Sequence, residues 1–160
     1  MAELSHLTAL IRHCEDLRDG VHGGAEARVE KERLFERTIE LLAPIARQAL
    51  EEANQRLLLG SGSIDESGFV RGDGVSSTWS LTWPEQRERG ISPVTIKAWF
   101  GSGFHHPHLR GSTVHDWPLN VFDESDARAQ LPILRAVVAA DVHNLVFQAD
   151  YRIIPAVTRG

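Results

Sequence analysis

The side chains of this sequence best suited to chemistry are the histidines of residues 102–119, SGFHHPHLRGSTVHDWPL. This stretch contains His105, His106, His108 and His115, half of the 8 histidines in the chain. Neutral imidazole is a common nitrogen ligand of transition metals. The first question is therefore whether these imidazoles can converge on one ion.

The glycine at position 111 predicts a tight turn, because glycine adopts positive φ without strain. A hairpin that turns at Arg110-Gly111 places His106 directly across from His115, with His108 diagonally beside them. Directly opposed Cβ atoms lie roughly 4.5–5.5 Å apart and diagonal ones roughly 7–8 Å. Three imidazoles at these separations can reach one ion, so we predict that they bind a divalent transition metal, zinc or iron.

The residues around these histidines predict a small-molecule pocket. Phe104 and Trp117 fall on the same face of the predicted hairpin as the three ligands. Arg110 at its tip either binds a carboxylate or, as the favoured alternative, is a solvated turn residue. We expect Asp116 and His143 to serve as acid, base or supporting groups beside the metal. For His143, on the predicted last helix, the alternative is a hydrogen-bonded core histidine.

The remaining candidates are expected to take no part in this site. His6 and His22 lie near the N-terminus with no companion in the sequence. His105 falls opposite Asp116 on the other face of the predicted hairpin, where the two can form a hydrogen bond, and one β-bulge would move either of them to the metal side. Cys14 is the single cysteine, so a multi-cysteine zinc site is excluded, and its place in a helical stripe predicts a buried thiol.

Residues 1 to about 59 are predicted to be helical, because their apolar positions recur every three or four residues. Residues 3–18 predict one helix and residues 25–59 a longer one. Pro44 lies inside the longer helix, and because proline lacks the N–H donor we predict a kink or a break there. The apolar stripe of this helix consists of Phe35, Ile39, Leu42, Ala46, Ala49, Ala53 and Leu57.

From about residue 66 to residue 160 the sequence predicts a sheet and one more helix. STWSLTWP and VTIKAWF alternate apolar with polar residues, which is typical of half-buried antiparallel strands, and PEQRERG between them reads as a charged loop. Asp123 is a predicted helix N-cap, and YRIIPA predicts a short strand. The stripe of the last helix consists of Leu131, Leu134, Val138, Val142 and Leu145.

Helices first and strands second favour an α+β fold over alternating α/β. We expect a single domain, 1–160, in which N-terminal helices, the long one kinked at Pro44, pack on an antiparallel sheet. That sheet contains the histidine-rich hairpin, and a helix and a short C-terminal strand follow it.

Composition limits the partners that we expect. The net charge of −5 and the pI of about 5.9 argue against nucleic acid, since phosphate binding requires a basic surface. No apolar run approaches the roughly 18 residues of a membrane span, and no signal peptide is recognisable, so we expect a soluble, cytoplasmic protein without a membrane partner. The apolar stripe of the long helix suggests a homodimer.

Two functions fit these observations. The first is a small metal-dependent enzyme, oxygenase-like or hydrolase-like, that acts on a small organic molecule at the histidine-lined, aromatic-walled pocket. The second is a metal-free binding or dimerising module, in which the histidines are only hydrogen-bonded. The number of clustered histidines favours the first, and the lack of a clear carboxylate ligand favours the second.

Overall fold

The computed structural model describes residues 6–159, which form an α+β fold. Its helices are α1 (His6–Asp19), α2 (Arg28–Leu57), α3 (Pro84–Arg89), α4 (Glu124–Ala129), α5 (Leu131–Gln148) and α6 (Pro155–Thr158). Its strands are β1 (Ser63–Glu66), β2 (Val70–Gly72), β3 (Gly74–Thr82), β4 (Val94–Phe100), β5 (His108–Arg110) and β6 (Trp117–Pro118). The first residues of the predicted N-terminal helix, 3–5, lie outside the described part. Within residues 6–159, no helix combines the length and apolar character needed to cross a membrane.

The strands form one antiparallel sheet in the order β1-β3-β4-β5-β6, and β2 also pairs with β3. The predicted alternation is confirmed along β3 and β4. Trp79 and Leu81 are buried on one face and pair with Ile96 and Val94, which are also buried. One face of the sheet therefore carries the core, and the other face carries half-buried polar and aromatic side chains.

Helix α2 covers the core face together with α5. Phe35, Leu42 and Ala46 of its stripe are fully buried there. The stripe on which we based the homodimer is thus covered by the chain's own sheet. Of the two outcomes predicted at Pro44, a kink or a break, the break does not occur, because α2 continues through Pro44. Pro44 lies on the exposed side, where water can reach the carbonyl that loses its helical partner.

Two segments differ from the sequence-based expectation. PEQRERG is helix α3 rather than a loop, because Pro84 fits the first helical turn and Gln86 caps the helix by accepting the backbone N–H of Trp83 at 3.2 Å. YRIIPA is not a strand. Its first half is a 3₁₀ turn, Tyr151–Ile153, and α6 follows at Pro155. Asp150 accepts the N–H of Arg152 at 2.8 Å, and this local cap favours a turn over extended chain.

Strands β5 and β6 pair as a hairpin, but with a register other than the predicted one. Leu109 lies opposite Trp117, so the connection spans residues 111–116 instead of turning tightly at Arg110-Gly111. Asp141 of α5 holds this loop open, since its buried carboxylate accepts the N–H groups of Ser112 at 2.9 Å and Thr113 at 2.8 Å. The contact is close enough that a Cβ at position 111 would lie 2.8 Å from Oδ1 of Asp141.

Candidate functional site

Histidines do come together in this fold, but not the three that were predicted. The ring centroid of His13, on α1, lies 5.1 Å from that of His106 and 5.6 Å from that of His108. The ring of His22 lies 5.5 Å from that of His106 on another side. We call His13, His22, His106 and His108 the histidine cluster.

Helix α1 carries His13 on its buried side, while its predicted apolar side is exposed. His13 is buried, whereas Leu7 and Ile11 of the predicted apolar stripe are 71% and 59% exposed. The helix thus turns its imidazole toward the protein and its apolar stripe toward solvent. Cys14 lies on that outer side and is exposed, so the predicted buried thiol is wrong.

The turn between α1 and α2 supplies His22. The backbone N–H and C=O of His22 both bond to Ala25 at 2.9 Å, which closes a tight loop. Gly23 within it has φ +56°, and a Cβ there would lie 2.5 Å from the ring of Phe122. The close approach leaves His22 fully buried, with its ring centroid 4.9 Å from that of Phe122. The expectation that His22 has no companion is therefore wrong.

Five imidazole nitrogens of the histidine cluster are shielded from solvent and have no hydrogen-bond partner among the described residues. They are Nδ1 of His13, His106 and His108, and both ring nitrogens of His22. Buried polar atoms are nearly always paired, because an unpaired one costs about 1–3 kcal/mol. Nε2 of His106 does have a partner, the carbonyl oxygen of Val21. A carbonyl only accepts, so Nε2 of His106 carries the proton and Nδ1 keeps a free lone pair.

Burial keeps these imidazoles uncharged. It is the largest cause of the lowered pKa of His13, with His106 and His108 adding to the effect. Burial likewise lowers the pKa of His106, and it lowers the pKa of His22 to about 3 with help from His106 and Lys31. At neutral pH all three rings are neutral, which is the form that binds metals.

Two charged residues, Asp16 and Lys31, give the two sides of the histidine cluster different electrostatic environments. The carboxylate of Asp16, one turn after His13 on α1, raises the pKa values of His13 and His106 against the effect of burial. Lys31 acts in the opposite direction on His22 and His106. Its buried ammonium group donates to the carbonyl of Gly20 at 3.2 Å. A cation is thus favoured beside His13 and disfavoured beside His22.

The predicted ligand His115 and the predicted catalytic groups lie elsewhere. His115 is exposed in the loop 111–116. His143 is exposed on α5 with Nδ1 3.1 Å from Oδ1 of Asn144, so it is neither a core histidine nor part of the histidine cluster. Asp116 is exposed, and its carboxylate accepts Nε1–H of Trp99 at 3.0 Å rather than pairing with His105.

Two of the three predicted pocket residues lie near the histidine cluster. Phe104 is half exposed, and its ring centroid lies 6.4 Å from that of His108. Arg110 lies two residues after His108 on the same face of β5. Trp117 instead contacts His6 of α1, with ring centroids 5.7 Å apart. Trp99 was not predicted as a pocket residue, but its ring centroid lies 4.9 Å from that of Phe104 and 5.9 Å from that of His108.

The ring nitrogens do not yet meet at one point. Within residues 6–159, no three His, Cys, Asp or Glu side chains stand at distances that hold a metal ion. One feature of the sequence could have indicated His13, the ligand that was not predicted. His13 and Asp16 are three residues apart on the side of α1 away from Leu7 and Ile11, so they form a polar stripe opposite the apolar one.

A groove of about 780 Å³ between α2 and α5 offers fewer free polar groups for binding or catalysis. Its best-placed charged groups are already paired, since Arg135 donates to Glu52 at 2.7 Å and 2.8 Å. This ion pair holds the pKa of Glu52 down at about 2.

Comparisons of the chain with protein-family models, with curated proteins and with solved structures return no match.

Proposed function

We propose that this chain is a small metal-dependent enzyme whose divalent transition metal is bound by His13, His106 and His108. The observation that carries the proposal is the unpaired Nδ1 atom, shielded from solvent, on each of these three rings. Two of the ligands are those expected from the sequence, and His13 takes the place of His115.

The spacing of the rings supports a shared ion. Zinc binds imidazole nitrogen at roughly 2.0–2.1 Å, so two rings on one tetrahedral ion have centroids roughly 5 Å apart. The ring of His13 lies 5.1 Å from His106 and 5.6 Å from His108. A shared ion requires the rings to rotate about their side-chain bonds until the three Nδ1 atoms aim at it.

The surroundings of His106 also fit a ligand. Its Nε2–H donates to the carbonyl of Val21, the type of outer contact that fixes the tautomer of metal-binding histidines. Asp16 adds a negative charge beside His13 and His106, whereas Lys31 acts against a cation at His22 and His106 alike. We leave His22 outside the ligand set because, within the histidine cluster, its ring contact is with His106, while His13 contacts both His106 and His108.

An ion with three imidazole ligands and an open position supplies Lewis-acid or oxygen chemistry, which suits hydrolysis and oxygenation alike. The chain's own part is to position a small organic molecule. Trp99 and Phe104 next to His108 offer an aromatic wall for it. A cytoplasmic location belongs to the same proposal, since a single unpaired cysteine fits a reducing compartment.

The alternative, a metal-free module in which the histidines are only hydrogen-bonded, has less support. Of the four rings of the histidine cluster, only that of His106 forms a hydrogen bond with another described residue. Ring contacts alone leave the cost of the unpaired nitrogens uncompensated.

Metal content of protein expressed without a histidine tag tests the proposal. After growth with zinc and iron supplied, we expect about one metal ion per wild-type chain by elemental analysis. His13→Ala and His106→Ala each remove one of three ligands and should lose most of it. The matched controls are His105→Ala and His115→Ala, exposed histidines of the same stretch, which should retain the wild-type content.

Metal-free wild-type protein under these conditions would exclude the metal site. Equal metal in all five proteins would move it away from the histidine cluster.

A further inference from the structure

We propose that the face of the sheet next to the metal site binds an aromatic carboxylate. This inference rests on the proposed function, because it names the class of small molecule that the site takes. The binding residues are Lys97 and Trp99 of β4 and His108 and Arg110 of β5. We call them the open-face quartet.

The backbone register places the quartet as two neighbouring pairs. Lys97 lies directly opposite Arg110, and Trp99 lies directly opposite His108. Side chains two residues apart on a strand share a face, so all four point away from the core. All four are half-buried, in contrast to the fully buried Ala98 and Leu109 between them.

The pair Lys97 and Arg110 is the unusual feature. Directly opposed side chains have Cβ atoms roughly 4.5–5.5 Å apart, and like charges at that distance destabilise a sheet. Among the described residues, neither cation has an ion pair or hydrogen bond that would offset the repulsion. An anionic group between the two would relieve it, and a carboxylate fits two donors in this arrangement.

The other pair, Trp99 and His108, determines which chemical group can be attached to the bound anion. Phe104 extends the apolar surface of Trp99, with ring centroids 4.9 Å apart and nearly perpendicular planes. Asp116 accepts Nε1–H of Trp99 and so fixes the indole, and its carboxylate makes no ion pair with Arg110. An aromatic ring stacked on Trp99 would thus lie beside His108, with its carboxylate on the two cations.

Calorimetric titration with 2-naphthoate, with neutral 2-naphthamide as comparison, tests this site. We expect 2-naphthoate to bind wild-type protein at least about tenfold tighter than 2-naphthamide, because hydrogen bonds to charged groups are the stronger ones. Lys97→Met and Arg110→Met should each weaken naphthoate about tenfold and leave naphthamide unchanged. Arg89→Met, at an exposed arginine of α3, is the control and should bind as the wild type does.

Neither variant is expected to have a folding defect that would mimic a loss of binding. Methionine keeps the aliphatic stem and removes the like-charge contact, so both variants should melt at the wild-type temperature or above. Equal affinity for naphthoate and naphthamide, or unchanged naphthoate affinity in both variants, overturns the inference.

The metal content of the same samples separates this inference from the proposed function. If naphthoate binding depends on Lys97 and Arg110 while no metal is present, the anion site stands and the metal site fails. If metal is present and naphthoate binding ignores both cations, the metal site stands and the aromatic carboxylate is ruled out.

Discussion

A buried imidazole without a hydrogen bond has a measurable consequence for stability. His22 is the clearest case in this chain, since it is fully buried, both of its ring nitrogens are unpaired and its pKa is lowered to about 3. The folded protein therefore keeps His22 neutral at pH values where the unfolded chain, with an ordinary pKa of 6.5, takes up a proton.

This difference predicts acid sensitivity with a defined sign. As the pH falls from 6.5 toward 3, the unfolded state binds the proton and the folded state does not, so the free energy of unfolding decreases. At pH 5 the contribution of His22 amounts to about 2 kcal/mol lost relative to neutral pH. In metal-free protein, His22→Leu should flatten the stability profile by that amount, as measured by urea unfolding at pH 7, 6 and 5.

The matched control is His115→Leu, which replaces an exposed histidine and should follow the wild-type profile. Parallel profiles for wild type and His22→Leu would show that folding does not lower the pKa of His22.

Among the elements of the fold, helix α1 carries the proposed ligand His13 and is held to the rest of the protein by few contacts. None of the more extensive contacts between elements of residues 6–159 involves α1. Its attachments include ring contacts of His13 and His6 and the position of Arg12 over Phe122, 5.8 Å from the ring centroid. A helix with so little buried apolar surface should open locally at low cost.

Metal binding should change that cost. An ion shared by His13, His106 and His108 joins α1 to β5, and it stabilises the docked state by mass action. We expect amide hydrogen exchange in α1 to slow by at least about tenfold on addition of zinc to chelator-treated protein. Exchange in α5, which packs on the core face, should be unchanged.

The effect should disappear in His13→Ala and persist in His115→Ala. Slower exchange of α1 in His13→Ala as well would mean that zinc acts through other residues.

For the whole molecule, the decisive feature is the single core between the sheet and the helices α2 and α5. Leu42 of α2 is fully buried within it, as are Trp79 and Ile96 of the sheet. The surface that suggested a homodimer from the sequence is therefore part of the folding core of one chain.

Replacement of Leu42 distinguishes these roles. Leu42→Ala leaves a cavity in the core, so the free energy of unfolding should fall by about 2–5 kcal/mol in urea titrations. Leu57→Ala, at the half-buried end of the same stripe, should cost less. Light scattering should give the same mass for both variants and the wild type; a drop in mass for Leu42→Ala while the fold is retained would assign the stripe to an interface.

The sequence by itself determined the features that depend on local period and local hydrogen bonds. The alternation in STWSLTWP and VTIKAWF predicted β3 and β4 and their buried faces, because side chains in a strand alternate strictly. Asp123 was predicted as a helix N-cap, and its carboxylate does accept the N–H of Asp126 at 2.7 Å, although the helix that it caps is the short α4 and α5 follows separately. The stripe of α2 was likewise predicted as the apolar side of a long helix.

The tertiary structure decided which elements meet. Periodicity indicates which side of α1 is apolar, but it does not say that this side faces solvent and that His13 faces β5. The hairpin register shows the same limit, since Asp141 on a distant helix binds Ser112 and Thr113 and shifts the turn away from Arg110-Gly111. The histidine cluster joins residues far apart along the chain. Packing of α1 against β5, and of the 20–25 turn against His106 and Phe122, brings them together, whereas spacing within the segment 102–119 could not.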